Sequence, residues 1–176
     1  MKIGKIILAA MLVVSTLSAN TGVYLGVGAG FDRTTLPHST VEISDGGFIE
    51  VSIGTTLPNN IGAEVKLTKT VVTTLVSKTI DIDVTTMSFF GTYTYNATSK
   101  FSVTPKLGLA YFGTTATNTT SKEIQESNVG LVGGLDFKYI VSDSLNLYTS
   151  VTAFSPKSEG VDYDTTHISV GLQHKF

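Results

Sequence analysis

The sequence contains no cysteine, which excludes disulfides, cysteine metal ligands, thiol catalysis and a lipid-modified N-terminal cysteine. Its only arginine is Arg33 and its formal net charge is -2, so its charge gives no reason to expect nucleic acid as a partner. Charged residues make up 15% of the chain, against roughly 25% in typical soluble domains. The low charge raises the question of which solvent surrounds the folded protein.

Long apolar runs are also missing, apart from Ile6 to Val14 near the N-terminus. Lys2 and Lys5 precede this run, and the small residues from Ser15 to Ala19 follow it. A membrane-spanning helix needs about 20 apolar residues, so the run is too short for an anchor. We predict a secretory signal peptide over residues 1–19, and a mature domain over residues 20–176 that is exported through the inner membrane.

After Asn20 there is no helical period, and segments of about ten residues alternate between apolar and polar side chains. In the last of them, Phe176, His174, Leu172 and Val170 share one face, while Lys175, Gln173 and Gly171 share the other. This period of two predicts eight β-strands, over residues 23–31, 47–56, 61–68, 85–95, 101–112, 128–139, 145–154 and 165–176.

The connections between these segments alternate strictly between short and long. Three short turns, 57–60, 96–100 and 141–144, follow the second, fourth and sixth segments. Long polar connections follow the first, third, fifth and seventh, over residues 32–46, 69–84, 113–127 and 155–164. All short turns therefore lie at one end of an up-and-down fold.

Two architectures give this alternation. A soluble sandwich or lipocalin-like barrel turns its apolar face inward, whereas a transmembrane barrel turns it outward to lipid around a polar lumen. The polar face here combines many glycines with six charged residues: Glu50, Glu64, Lys66, Lys106, Asp136 and Lys138. A narrow interior needs glycine beside each charged side chain, but a solvated surface does not. The pattern favours the transmembrane barrel.

Aromatic residues on the apolar face cluster near both ends of the segments, as in the two interfacial girdles of membrane barrels. Tyr93, Tyr95, Phe137 and Tyr139 lie near the short-turn end, and Phe31 and Tyr111 lie near the long-loop end. The predicted fold is therefore all-β, an eight-stranded antiparallel up-and-down transmembrane β-barrel. Closure leaves no unpaired backbone edge in the lipid.

The signal peptide, the opening strand "YLGVGAGF", the strand "TPKLGLAYFG" after a short turn and the final "VGLQHKF" resemble the small eight-stranded outer-membrane barrels of the OmpA and OmpX type. This resemblance implies a bacterial outer-membrane location, with outer-membrane lipids, lipopolysaccharide and the outer-membrane assembly machinery as partners. It also implies that Phe176, with Leu172 and Val170 on the same face, forms an assembly signal. His174 departs from the usual pattern, because an aliphatic or aromatic residue is more common there.

The resemblance further implies an internal ion-pair network, since barrels of this kind often carry one. We expect the six charged lumen residues to plug the barrel, because unpaired charges in so narrow an interior are costly. The predicted function is then structural or one of cell-surface interaction. Two alternatives stay open: a small-solute porin or gated pore, and a secreted soluble ligand-binding barrel.

No enzyme, metal site or cofactor is predicted. The "GVGAG" run lacks the following helix that a nucleotide-binding fingerprint requires. His38, Asp81 and Asp83, and separately Asp164 and His167, fall near the long-loop rim without the spacing of a catalytic dyad. The long connections are rich in Thr and Ser and on balance acidic. They could hold an extracellular ligand, but no cluster of residues identifies one.

Overall fold

The structure is a computed structural model of the 176-residue chain. It describes residues 22–35, 42–74, 80–118, 123–155, 157–158, 161–162 and 164–176. The predicted signal peptide lies outside the described residues. Within these ranges no helix has the length and apolar content needed to cross a membrane.

The described residues form eight long strands, with two-residue strand pieces at Tyr95–Asn96, Lys157–Ser158 and Val161–Asp162. The long strands are β1 (Gly22–Thr35), β2 (Glu42–Thr56), β3 (Ile61–Thr74), β4 (Ile80–Tyr93), β5 (Phe101–Asn118), β6 (Glu123–Ile140), β7 (Leu145–Ser155) and β8 (Asp164–Lys175). Each pairs antiparallel with the next along the chain. The first and last strands also pair, from Tyr24 opposite Lys175 to Thr35 opposite Asp164. The sheet is therefore a closed up-and-down barrel, as predicted.

Short turns close one end of the barrel through local hydrogen bonds. In the first, Leu57 N donates to Ile61 O at 2.8 Å, and Asn60 adopts a φ of 66°, a backbone conformation that asparagine tolerates better than most residues. In the second, the Thr98 hydroxyl oxygen accepts from the backbone N–H groups of Lys100 and Phe101 at 3.2 and 3.0 Å. Polar turn residues thus fix the positions of the strands.

The strands are longer than predicted at the opposite end. The expected connection 69–84, for example, is strand up to Thr74 and again from Ile80, and residues 80–84 pair with residues 114–118. The prediction was wrong there for two reasons. It ended strands where the contrast between the two faces stops in the sequence, as over residues 114–118, although a backbone ladder needs no such contrast. It also left residues 80–84 in the connection, although Ile80, Ile82 and Val84 alternate there with two aspartates.

The barrel is apolar outside and polar inside. Leu107, Leu131 and Val170 are 69%, 65% and 58% exposed on the outer wall. Among the described side chains, buried polar residues outnumber buried apolar ones, the reverse of a water-soluble domain. This inversion agrees with a wall that faces lipid.

Candidate functional site

The six charged residues predicted for the lumen all lie inside the barrel. Each is at most 5% exposed. Three carboxylates and three ammonium groups balance one another in number. A charge in so buried a position is costly unless it is paired and hydrogen-bonded, so the contacts of each determine what the lumen can do.

Glu50 on β2 accepts hydrogen bonds from three strands. Lys66 Nζ donates to its Oε2 at 3.1 Å. Tyr148 and Ser169 donate their hydroxyl groups to its Oε1 at 2.7 and 2.8 Å. Both carboxylate oxygens are therefore satisfied, and β2, β3, β7 and β8 are tied together across the lumen.

Lys106 on β5 is the second centre of this network, and its side chain is 0% exposed. Its Nζ donates to Glu64 Oε1 at 3.4 Å and to Ser150 Oγ at 3.1 Å. It also forms a close ion pair with Asp136, whose Oδ1 lies 2.6 Å away. Ser150 Oγ also accepts from Lys66 Nζ at 3.4 Å, so one serine joins the two centres.

Tyr148 reaches Glu50 across two glycines. In the strand pairing, Tyr148 lies opposite Gly171, Gly171 opposite Gly28, and Gly28 opposite Glu50. A Cβ atom on Gly28 or Gly171 would approach the Tyr148 side chain to 2.6 Å. The two glycines thus leave a flat surface on which the tyrosine ring lies, so that its hydroxyl crosses two strands.

Tyr24 repeats this arrangement with a single glycine. It lies opposite Gly54, which lies opposite Glu64, and its hydroxyl donates to Glu64 Oε2 at 2.9 Å. The period of two puts Tyr24 and Tyr148 on the same face as the six charged residues, but the sequence prediction missed them as network members. The sequence contains a feature that could have identified each tyrosine. A large side chain with a hydroxyl donor faces inward, and inward-facing glycines lie on the next strand.

An aromatic layer, also missed, lies inside the barrel on the long-loop side of the charged network. The His167 ring lies between the rings of Phe48 and Phe154, with centroids 4.7 and 4.5 Å away. Phe112 packs edge-on against Phe154 at 5.3 Å, next to the buried cluster of Phe90, Ala110, Val132 and Phe154. Phe90 also contacts the network, because Lys106 Nζ lies 4.9 Å from its ring centroid.

The remaining predicted residues lie on the outer wall. Val170, Leu172 and Phe176 are 58%, 48% and 78% exposed. The aromatic residues predicted for the two girdles are also exposed: Phe31, Tyr93, Tyr95, Tyr111, Phe137 and Tyr139. Their positions suit contact with lipid, and their roles as girdle or assembly residues stay predictions.

The histidines and aspartates near the long-loop rim do not form a catalytic group among the side chains that the structure describes. His38 lies outside the described residues, as do the side chains of Asp81, Asp83 and Asp164. His167 packs between two phenylalanine rings inside the barrel. In the part of the chain that the structure describes, no cluster of three or more His, Asp or Glu residues could hold a metal ion.

Comparison with known proteins identifies the family to which the chain belongs. A family model described as the outer membrane protein beta-barrel domain matches residues 6–176. Among curated proteins, no sequence matches this chain.

Solved structures share the fold. Neisserial surface protein A (NspA) has a TM-score of 0.74 and 16% identity, with 88% of this chain and 97% of that chain covered. Ail, the attachment invasion locus protein of Yersinia pestis, was solved with the heparin analogue sucrose octasulfate. It has a TM-score of 0.67 and 13% identity, with 89% of this chain and 99% of that chain covered. The N-terminal β-barrel domain of Pseudomonas aeruginosa OprF has a TM-score of 0.61 and 13% identity, with 87% of this chain and 97% of that chain covered.

Proposed function

The chain belongs to the family of outer membrane protein β-barrel domains, and we propose that it serves in the bacterial outer membrane as a closed barrel with a structural or cell-surface role. Two layers of side chains inside the barrel support this proposal. A charged network joins Glu50 to Lys106 through Lys66 and Ser150, and an aromatic layer covers it on one side. The interior of an eight-stranded barrel is just wide enough for side chains or one small ligand, so these two layers leave little room for solutes to cross the barrel.

The outer wall supplies the lipid contacts. Its exposed apolar residues form the surface that meets hydrocarbon, and the aromatic residues at both ends suit the membrane interfaces. By the general topology of outer-membrane barrels, the short turns face the periplasm and the long connections face outside. We propose outer-membrane phospholipid and lipopolysaccharide as the partners of this wall.

The long-loop end is where a surface partner would bind, because connections on a rigid barrel can vary without disturbing it. Ail was solved with a heparin analogue, a polyanion. The long connections of this chain are on balance acidic, so their charge does not favour a polyanion. We therefore propose surface contact without carrying that ligand over. We propose no catalytic activity and no cofactor.

Assembly into the membrane tests both the location and the proposed signal at Phe176. We expect the wild-type chain, expressed in Gram-negative cells, to appear in the outer-membrane fraction as a band that shifts between unboiled and boiled samples. Replacing Phe176 by serine is expected to lower that folded amount several-fold, because the assembly machinery no longer reads the last strand. Refolding of the purified variant into detergent should be unchanged.

Phe101→Ser provides the matched control, because Phe101 is also exposed on the outer wall at the short-turn end. If both variants accumulate equally, Phe176 is not a specific signal. A wild-type chain in the soluble fraction would instead support the secreted ligand-binding barrel and overturn the membrane assignment.

A further inference from the structure

A cavity of about 280 Å³, lined mostly by polar residues, lies inside the barrel mouth at the short-turn end. Its lining includes Lys138, Lys175, Asn146 and Gln173, with Asn60 and Asn96 from the turn region. No aspartate or glutamate lines it. All of the residues that line it belong to the part of the chain that the structure describes.

Lys138 differs from the other lumen lysines in its contacts. Lys66 and Lys106 each lie within 4.0 Å of a carboxylate. Lys138 is 5% exposed, yet among the described residues no carboxylate lies that close to its Nζ. Asp136 and Glu64 both contact Lys106 instead. The Lys138 ammonium lies 4.9 Å from the Tyr24 ring centroid, a cation–π contact.

Amide groups beside this ammonium can complete an anion site. Asn146 Nδ2 donates to Gln173 Oε1 at 3.0 Å, and both residues line the cavity. The Nε2 group of Gln173 is a further amide donor. Amide N–H groups and ammonium groups together make charge-assisted hydrogen bonds to oxyanions. A buried cation without a contacting carboxylate is expensive, and a bound anion would offset that cost.

The charge distribution of the whole chain adds to this local arrangement. Ten of its 14 acidic residues lie on the long-loop side of the sequence pattern, within residues 32–46, 69–84, 113–127 and 155–164, against five of its 12 lysines and arginines. The short-turn end carries Lys100, Lys138 and Lys175 against one acid, Asp143. Anions are therefore attracted to the end of the barrel where the cavity opens.

We propose that this cavity is a binding site for a small water-soluble oxyanion of the phosphate class, held by the Lys138 ammonium with Lys175 and Gln173. The volume lies just under the usual range of about 300–1,000 Å³ for small-molecule sites, which suits a phosphate group or a small phosphate ester. Lysine is a common phosphate ligand because it acts as a compact point charge. The site is independent of any partner bound by the long connections.

Inorganic phosphate is the probe for this proposal. The mature chain, refolded in detergent and labelled with ¹⁵N, is titrated with sodium phosphate while sodium chloride keeps the ionic strength constant. Two-dimensional NMR then follows the side-chain amide signals of Asn146 and Gln173. We expect saturable shifts in the wild type, and an affinity about tenfold lower in Lys138→Met, because a charge-assisted contact is removed.

Lys100→Met is the matched control, because Lys100 lies in an exposed turn at the same end and does not line the cavity. It should titrate like the wild type. If Lys138→Met fails to give the folded, heat-shifting band, Lys175→Met takes its place with the same expectation. Absence of saturable shifts in the wild type, or equal affinity in the lysine variants, overturns the proposal. Shifts that appear only when a phospholipid is added to the micelles would identify a lipid headgroup and overturn the assignment to a soluble anion.

Discussion

Replacing Lys106 by methionine is expected to lower the free energy of unfolding by about 3–5 kcal/mol, the usual cost of removing one partner from a buried ion pair. Glu64 and Asp136 both contact the Lys106 ammonium. Methionine leaves the two carboxylates buried without that cation, while roughly keeping the volume of the side chain. Urea unfolding in detergent, followed by circular dichroism, measures the change.

The effect of this substitution should depend on the two carboxylates that lose their contact with the Lys106 ammonium. Adding Asp136→Asn to Lys106→Met removes one of them, and we expect part of the lost stability to return. Lys100→Met makes the same chemical change in an exposed turn, where a substitution changes stability by less than about 0.5 kcal/mol. A Lys106→Met barrel as stable as the Lys100→Met barrel would show that the network is not needed for the fold.

Replacing Gly28 by alanine is expected to cost about 1–3 kcal/mol, the usual range for overpacking a closely packed interior. The new Cβ atom would lie 2.6 Å from the Tyr148 hydroxyl and 3.1 Å from Glu50 Oε1. The tyrosine ring must move, and its 2.7 Å hydrogen bond to Glu50 is then lost. Gly91→Ala is the control, because a Cβ atom there meets only Leu107 O at 3.8 Å on the outer wall.

A double-mutant cycle with Tyr148→Phe identifies the cause of this loss. The phenylalanine variant lacks the hydroxyl that Gly28→Ala displaces, so the two changes remove the same hydrogen bond. We expect the double variant to lose less stability than the sum of the single variants, by about 1 kcal/mol. Additive losses would mean that the other contacts of the new Cβ atom, 2.9 Å to Val170 O and 3.1 Å to Glu50 Oε1, explain the whole effect and that Gly28 does not serve the tyrosine.

The inward and outward faces of the strands could be predicted from the sequence because the period of two depends only on the local backbone. Glu50 and Lys106 face the lumen as predicted, and Phe31 and Phe176 face outward. The family follows from the same pattern together with the order of short and long connections. Here local patterning and the global fold agree.

Strand ends and side-chain partners could not be predicted in the same way. The Thr-rich end of β5 continues as strand although its alternation has disappeared, because backbone pairing needs no apolar face. The partners of Glu50 depend on the register in which the barrel closes: Ser169, which donates to it, is 119 residues away in the chain. Period-two reasoning gives the face of each residue but not its height in the barrel. The ring layer around His167 was missed for this reason.

Single-channel conductance is the most direct test of a closed lumen. The mature wild-type chain is refolded in detergent, checked for its shift between unboiled and boiled gels, and inserted into a planar lipid bilayer. A lumen filled by the Glu50–Lys106 network and the aromatic layer predicts no discrete current steps from folded protein. Reproducible steps from the same heat-shifting preparation would contradict the closed barrel and support the alternative function as a small-solute pore.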